Sequence, residues 1–291
     1  MSKVERIRSR TARERIAAQQ AAARRRETRR RTLIAGGSTV VVLALVIGLV
    51  VAKLSQSPAK TAGAATLPAV ARQVTTVPAA TFDSVGAGTA TGLKATTGQP
   101  LLMKNGKPEV LYMGGQYCPF CAAERWAVAT ALSRFGTLSG LHFIHSSPTD
   151  YAASTPTLDF ATARFASRYV SFTGVEWYGE KSDPSTPFGH VYFQHPTARE
   201  KALFSRYGGG SFPFVDIGNQ YLVPQAQYAP TALTGLTWAQ VAADLHNPAS
   251  PVAKDIDGAA NMITAAICKL THGQPGGVCS AAGVRAASGS I

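Results

Sequence analysis

The sequence lacks the motifs that mark several large classes of enzyme. It has no Walker-type phosphate loop, no Gly-x-Ser-x-Gly motif, no cluster of carboxylates and no internal repeat. Nothing in it therefore indicates nucleotide or flavin binding. The sequence predicts no cofactor and no metal site.

Acidic residues are scarce, with 16 Asp and Glu against 29 Lys and Arg. Twelve of the basic residues but only three of the acidic ones lie in residues 1–31, so the rest of the chain is close to neutral. The first 31 residues contain no aromatic side chain that could stack on bases. DNA or RNA binding is the alternative, but we expect residues 1–32 to be a cytoplasmic arm that contacts anionic lipid and no nucleic acid.

Charge is absent from Leu33 to Ala52, a run of 20 residues. A helix of that length rises about 30 Å, the thickness of a bilayer core. The sequence predicts a single-pass transmembrane helix over residues 33–52, followed by a flexible linker over 53–72. The basic arm places the N-terminus in the cytoplasm and the C-terminal domain outside the cell membrane. A cleaved signal peptide is the alternative, but its charged and apolar regions are typically shorter.

The folded domain is predicted over residues 73–285, with a disordered tail over 286–291. A strand at Val110–Met113 leads into a Cys-x-x-Cys motif and a helix, and "LHFIHSS" suggests a second strand. An insertion of about residues 150–207 follows. The segment "SFPFVDIGNQYLV" then predicts a hairpin, and two more helices end the domain. This order predicts an α/β protein with a thioredoxin-like fold that carries an insertion between its two halves and is preceded by the transmembrane helix.

Cys118 and Cys121 stand at the start of a predicted helix, in "GGQYCPFCAAERWA". At a helix N-cap, unpaired N–H groups and the helix dipole stabilise the thiolate of Cys118. Pro119 fits the first helical position because its missing N–H would be unused there. Cys121, one turn further on, could resolve a mixed disulfide formed at Cys118. Cys118 and Cys121 are therefore the candidate catalytic pair.

Two other interpretations of the same pair remain open. Zinc and copper sites use this spacing, but a zinc ribbon needs a second close pair, which the sequence lacks. A purely structural disulfide between Cys118 and Cys121 would close so short a loop that it would add little stability.

Pro213, in "GGSFPFVD", leads directly into a predicted strand. A cis peptide bond at this proline would face the cysteine pair, as in thioredoxin folds, and a trans proline at a strand start is the alternative. With the cis bond, the backbone of Phe212 could pair with an extended substrate peptide. Tyr117 and Phe120, beside the cysteines, are the other candidate substrate-facing residues, unless they pack against the insertion.

The sequence resembles two groups of proteins. The Cys-Pro-Phe-Cys motif and the distant Ser-Phe-Pro are similar to Dsb-type thiol–disulfide oxidoreductases of the thioredoxin superfamily. The segment "NGKPEVLYMGGQYCPFCAAERWAVATALSRFG" resembles more closely a membrane-anchored, thioredoxin-like family known as Domain of unknown function 929. The resemblance covers about residues 75–285 and implies Cys118 as exposed nucleophile, Cys121 as resolving thiol and Pro213 as the substrate-facing proline.

One departure from the thioredoxin pattern concerns proton transfer. Thioredoxins have an acidic residue six positions before the first cysteine, where this chain has Tyr112. Glu124 could substitute, but helical geometry favours a position in solvent or a pair with Arg125 or Arg134. We therefore expect proton transfer to Cys121 to pass through water.

Cys268 and Cys279 flank a Gly- and Pro-containing loop near the end of the chain. Outside the cytoplasm they are expected to form a structural disulfide worth about 2–3 kcal/mol in the chain-entropy model. A second redox pair that passes electrons to Cys118 and Cys121 is the alternative.

The function predicted from these features is that of a membrane-anchored, extracytoplasmic thiol–disulfide oxidoreductase. Its partners would be cysteine-containing envelope or secreted proteins and a membrane or soluble redox partner. A redox-inactive binding module of the cell envelope and a copper-handling protein are the alternatives.

Overall fold

The computed structural model of the protein describes residues 66–223 and 225–291. The helices, α1 to α8 in chain order, span Leu67–Thr75, Ala79–Val85, Pro119–Ser133, Ala198–Tyr207, Trp238–Asp244, Pro251–Leu270, Gly276–Cys279 and Ala282–Ala287. The strands, β1 to β11, span Lys94–Ala95, Met103–Lys104, Lys107–Gly115, Gly136–Ser139, His142–His145, Pro156–Asp159, Arg164–Ser167, Ser171–Ser182, His190–Tyr192, Phe214–Ile217 and Tyr221–Val223. Short 3₁₀ helices cover Pro230–Leu233 and Ser288–Ser290.

Seven strands form the main sheet, in the order β1-β11-β10-β3-β8-β9, and β2 pairs with the start of β3. β3 and β8 are parallel, whereas the other pairs in this sheet are antiparallel. From Glu109 to Gly115, β3 is buried at every residue. This explains its nearly continuous apolar sequence, since a central strand is covered on both faces.

The strand predicted in "LHFIHSS" is present at His142–His145, but it is not part of the main sheet. It pairs only with β6 in a separate two-stranded sheet. The parallel neighbour of β3 is instead β8, which lies inside the predicted insertion at 150–207. The reason is that β8 is long and mixes polar with apolar residues, so its sequence does not read as a buried strand. The predicted hairpin is confirmed, because β10 and β11 pair across a turn in which Gly218 and Asn219 both have positive φ.

Helix α3 fills the centre of the fold, packed against α6. Every residue from Cys121 to Leu132 is buried. Small residues such as Ala123, Ala127 and Ala131 allow this close packing, and the helix also buries the charged residues Glu124 and Arg125. The CxxC motif is thus attached to the most enclosed helix of the described chain.

Both predicted ends of the domain need correction. Helix α1 begins at Leu67, inside the predicted linker 53–72, and its Val70 and Val74 are buried in the core. The predicted disordered tail, 286–291, is helical, and the N–H of Leu93 donates to the carbonyl of Ser290 at 3.2 Å. Both segments are short, and what orders them is contact with distant parts of the chain, which the local sequence does not show.

The described residues are mixed α/β, but the fold prediction also included a transmembrane helix, and that part is corrected. Within the described part of the chain, no helix combines the length and apolar composition needed to cross a bilayer. The predicted span itself, 33–52, lies outside the described residues, as do the basic arm 1–32 and the linker up to residue 65.

Candidate functional site

Cys118 is the N-cap of α3, as the sequence predicts. β3 ends at Gly115, and a tight turn follows in which the N–H of Cys118 donates to the carbonyl of Gly115 at 3.1 Å. The backbone of Cys118 is extended, and Pro119 occupies the first helical turn. The turn therefore places the sulfur directly over the unpaired N–H groups of the helix.

The Cys118 sulfur accepts a hydrogen bond from the backbone N–H of Cys121 at 3.2 Å. Burial by itself would raise the pKa of Cys118. Hydrogen bonds from Cys121 and the charge of Arg125 outweigh it, so the pKa lies below the ordinary value. One expectation is wrong here, because Cys118 is only 6% exposed rather than open to solvent.

Cys121 is completely buried one turn into the helix. Burial, and next the hydrogen bond with Cys118, raise its pKa well above the ordinary value. Both cysteines are free thiols. The pair is therefore asymmetric, because the pKa of Cys118 lies below the ordinary value of a thiol and that of Cys121 lies well above it.

The Phe212–Pro213 peptide bond is cis, which decides between the two alternatives that the sequence left open. The carbonyl of Phe212 lies 4.0 Å from the Cys118 sulfur. The ring of Phe212 packs on Phe188 and Phe204, with centroids 4.7 and 4.9 Å away. The backbone of Phe212 thus faces the thiol, whereas its side chain belongs to an aromatic cluster.

Phe120 and Tyr117 both contact the segment predicted as an insertion. Phe120 is 40% exposed and its ring stacks on Tyr151 at 5.7 Å. Tyr117 is half-buried and stacks on His190 at 3.6 Å. Of the two, only Phe120 presents an open apolar surface. It borders a pocket of about 290 Å³ with four other residues, Ser211, Phe212, Gln225 and Ala226.

A buried ion pair that the sequence did not reveal lies beneath the cysteines. Arg125 and Glu176 are both fully buried and form two hydrogen bonds, of 2.9 and 2.7 Å. A third hydrogen bond of the guanidinium goes to the carbonyl of Gly115 at 2.7 Å. Because Gly115 begins the turn to Cys118, Arg125 ties β8, the turn and α3 together. Glu176 lies in β8, whose pairing with β3 the sequence did not indicate, so only the structure could reveal this pair.

Glu124 does not face solvent and does not pair with arginine, contrary to expectation. Its side chain is fully buried, and one carboxylate oxygen accepts from the N–H of Gln227 at 3.0 Å. The other oxygen has no partner among the described residues. Burial raises the pKa of Glu124 to about 8, against a smaller opposing effect of that hydrogen bond.

Cys268 and Cys279 form the predicted disulfide, with Cα atoms 5.5 Å apart. The bond joins the end of α6 to α7 and closes the loop between them. Both half-cystines pack against the main core, so the bond fixes the C-terminal helices.

Comparisons with known proteins give one match. A family model described as Domain of unknown function (DUF929) matches residues 96–186. The matched segment includes β3, the Cys-x-x-Cys motif, α3 and β8, and it is shorter than the expected 75–285. The chain is similar to that family over this range. Neither the curated proteins nor the solved structures contain a match.

Proposed function

We propose that the protein is a thiol–disulfide oxidoreductase that acts on cysteine-containing proteins through Cys118 and Cys121. The observation that carries this proposal is the position of the Cys118 sulfur. It caps helix α3, accepts a hydrogen bond from Cys121 N–H and has its resolving partner one turn away. A pKa below the ordinary value makes Cys118 a better nucleophile and a better leaving group than an ordinary thiol.

We further propose that the architecture is thioredoxin-like. Support comes from β3 and β8, which are parallel and have α3 between them in the chain. It also comes from β10, which pairs antiparallel with β3 on the side opposite β8. Pro213 leads into β10, and the Phe212 carbonyl beside Cys118 could accept a hydrogen bond from an extended substrate.

The exchange reaction has two steps. With a substrate disulfide, the Cys118 thiolate attacks one substrate sulfur, a bond forms between them, and the other substrate sulfur leaves as a thiolate. Cys121 then loses its proton to water or buffer and attacks the Cys118 sulfur. The Cys118–Cys121 bond forms, the mixed disulfide breaks, and the second substrate thiolate leaves. Two electrons pass from the cysteine pair to the substrate, and the reverse sequence oxidises a substrate dithiol.

The proposed partners are cysteine-containing envelope or secreted proteins, with a membrane or soluble redox partner that restores the pair. The proposed location is extracytoplasmic. It is supported by the Cys268–Cys279 disulfide, because such bonds persist mainly in oxidising compartments.

Exchange with a disulfide-containing peptide tests the function. We expect Cys118→Ser to abolish exchange, and Cys121→Ala to trap a mixed disulfide between Cys118 and the peptide. The paired change Cys268→Ser and Cys279→Ser is the control, and it should leave exchange intact if the chain remains folded.

Two results would contradict the proposal. Exchange that persists in the Cys118→Ser variant would show that Cys118 is not the nucleophile. Absence of exchange, together with sub-micromolar Cu(I) binding that is lost on replacing both cysteines, would favour copper handling instead.

A further inference from the structure

The Tyr112 hydroxyl is a buried polar group without a hydrogen-bond partner among the described residues. The side chain is fully enclosed, with the Phe160 ring edge-on at 5.0 Å and the Arg125 guanidinium 5.7 Å from its ring centre. A buried hydroxyl without a partner is costly, and natural proteins rarely keep one without a use.

Gly114 shows where this hydroxyl points. A Cβ atom placed on Gly114 would lie 2.3 Å from the Tyr112 hydroxyl oxygen and 3.1 Å from the Cys121 sulfur. The hydroxyl and the sulfur therefore border the same small space, which any side chain at residue 114 would fill. Tyr112 and Gly114 are two residues apart on β3, so they face the same side of the sheet as Cys121.

The two groups differ in what they can offer each other. A thiol is a weak hydrogen-bond acceptor, whereas a thiolate is a strong one. Burial raises the pKa of Tyr112 well above its ordinary value, so the hydroxyl keeps its proton and can only donate to an anion. The charge of Arg125 further favours an anion at this position.

We propose that the Tyr112 hydroxyl donates a hydrogen bond to the Cys121 thiolate when that thiolate forms during disulfide exchange. This inference rests on the proposed function. In the resolving step, Cys121 gives its proton to water or buffer, Tyr112 keeps its own, and the thiolate attacks the Cys118 sulfur as described above. In the reverse direction the same bond stabilises Cys121 as the leaving group. Tyr112 would thus be a catalytic hydrogen-bond donor. The proton of Cys121 would still leave through water, as expected from the sequence.

Tyr112→Phe removes only the hydroxyl, and Tyr207→Phe is a matched control. The hydroxyl of Tyr207 is also buried without a partner in the described chain, but it belongs to a different core cluster. Neither change therefore breaks an observed hydrogen bond.

The measurement is the rate at which a preformed mixed disulfide between Cys118 and a cysteine-containing peptide is resolved, followed from pH 6 to 10. We expect Tyr112→Phe to slow resolution at pH 7 about tenfold, the effect of one hydrogen bond to a charged group. The midpoint of the pH–rate profile should move upward by about one pH unit. Attack of Cys118 on a peptide disulfide, which precedes this step, should keep its rate, and Tyr207→Phe should change neither quantity.

A second measurement uses the unchanged chain with ¹³Cζ-labelled tyrosine. The Tyr112 resonance should shift as Cys121 ionises, and the Tyr207 resonance should not. The hydrogen-bond proposal would be wrong if Tyr112→Phe left the rate of resolution unchanged, or if the Tyr112 resonance did not shift as Cys121 ionises. Either result would leave the proposed oxidoreductase function in place. If the chain does not exchange with peptide disulfides at all, both proposals fall.

Discussion

Glu124 allows a quantitative prediction about stability and pH. Its carboxyl group is fully buried, and its pKa of about 8 compares with about 4.3 in an unfolded chain. The folded state therefore binds the proton more tightly. The protonated carboxyl group therefore adds its full contribution to the free energy of unfolding below pH 4. This contribution declines as the pH rises to about 8, and it does not change further above that pH.

The size of the effect follows from the shift. Each pKa unit corresponds to about 1.4 kcal/mol, so the full loss from Glu124 is on the order of 3 to 5 kcal/mol. Glu124→Gln keeps an oxygen that can accept the Gln227 N–H bond but cannot ionise. We expect the variant to gain stability over the unchanged protein as the pH rises from 5 to 8.

Urea unfolding at half-unit pH intervals, with linear extrapolation at each pH, measures this difference. Taking the difference between the two proteins removes the contribution of Asp257, whose pKa burial also raises to about 8. Glu180→Gln, the same change at the surface, is the control and should give a nearly flat difference. A flat difference for Glu124→Gln would refute the reasoning, because it would mean that Glu124 is ionised and solvated in the folded protein.

Three further tests concern the packing of the fold, each by urea unfolding at pH 7. Arg125→Met should destabilise the fold by about 3–5 kcal/mol because it leaves Glu176 charged and buried. Adding Glu176→Leu should recover most of that stability, and no recovery would contradict the ion-pair explanation. Replacing Cys268 and Cys279 by serine should cost about 3 kcal/mol, and a loss below about 0.5 kcal/mol would show that the bond is not a structural staple. Val74→Ala should lower the stability of the fold by about 2 kcal/mol because α1 is packed in the core. An unchanged stability would mean that this segment is a linker, as the sequence predicted.

Local signals in the sequence were sufficient for several elements. Cys118 followed by Pro119 predicted the helix start, and Gly218–Asn219 predicted the hairpin turn, since both depend on neighbouring residues alone. The disulfide between Cys268 and Cys279 followed from the count of cysteines and their spacing.

Features that depend on distant residues could not be predicted in this way. β8 was assigned to an insertion because its place beside β3 is decided by long-range pairing. Without β8, the partner of Arg125 could not be identified, and helical geometry alone placed Glu124 in solvent. The relation between Tyr112 and Cys121 depends on the space left by Gly114, which becomes visible only when strand and helix are packed together.

The most direct test of the central claim is a redox titration of the full chain in glutathione buffers, with thiols trapped and each cysteine peptide quantified separately. We predict that Cys118 and Cys121 change state together as a two-electron couple, while Cys268 and Cys279 stay oxidised throughout. A potential of about −120 to −180 mV would identify a donor or shuffler of disulfides, and one at or below about −270 mV would identify a reductant. A Cys118–Cys121 pair that cannot be cycled between dithiol and disulfide would contradict the account.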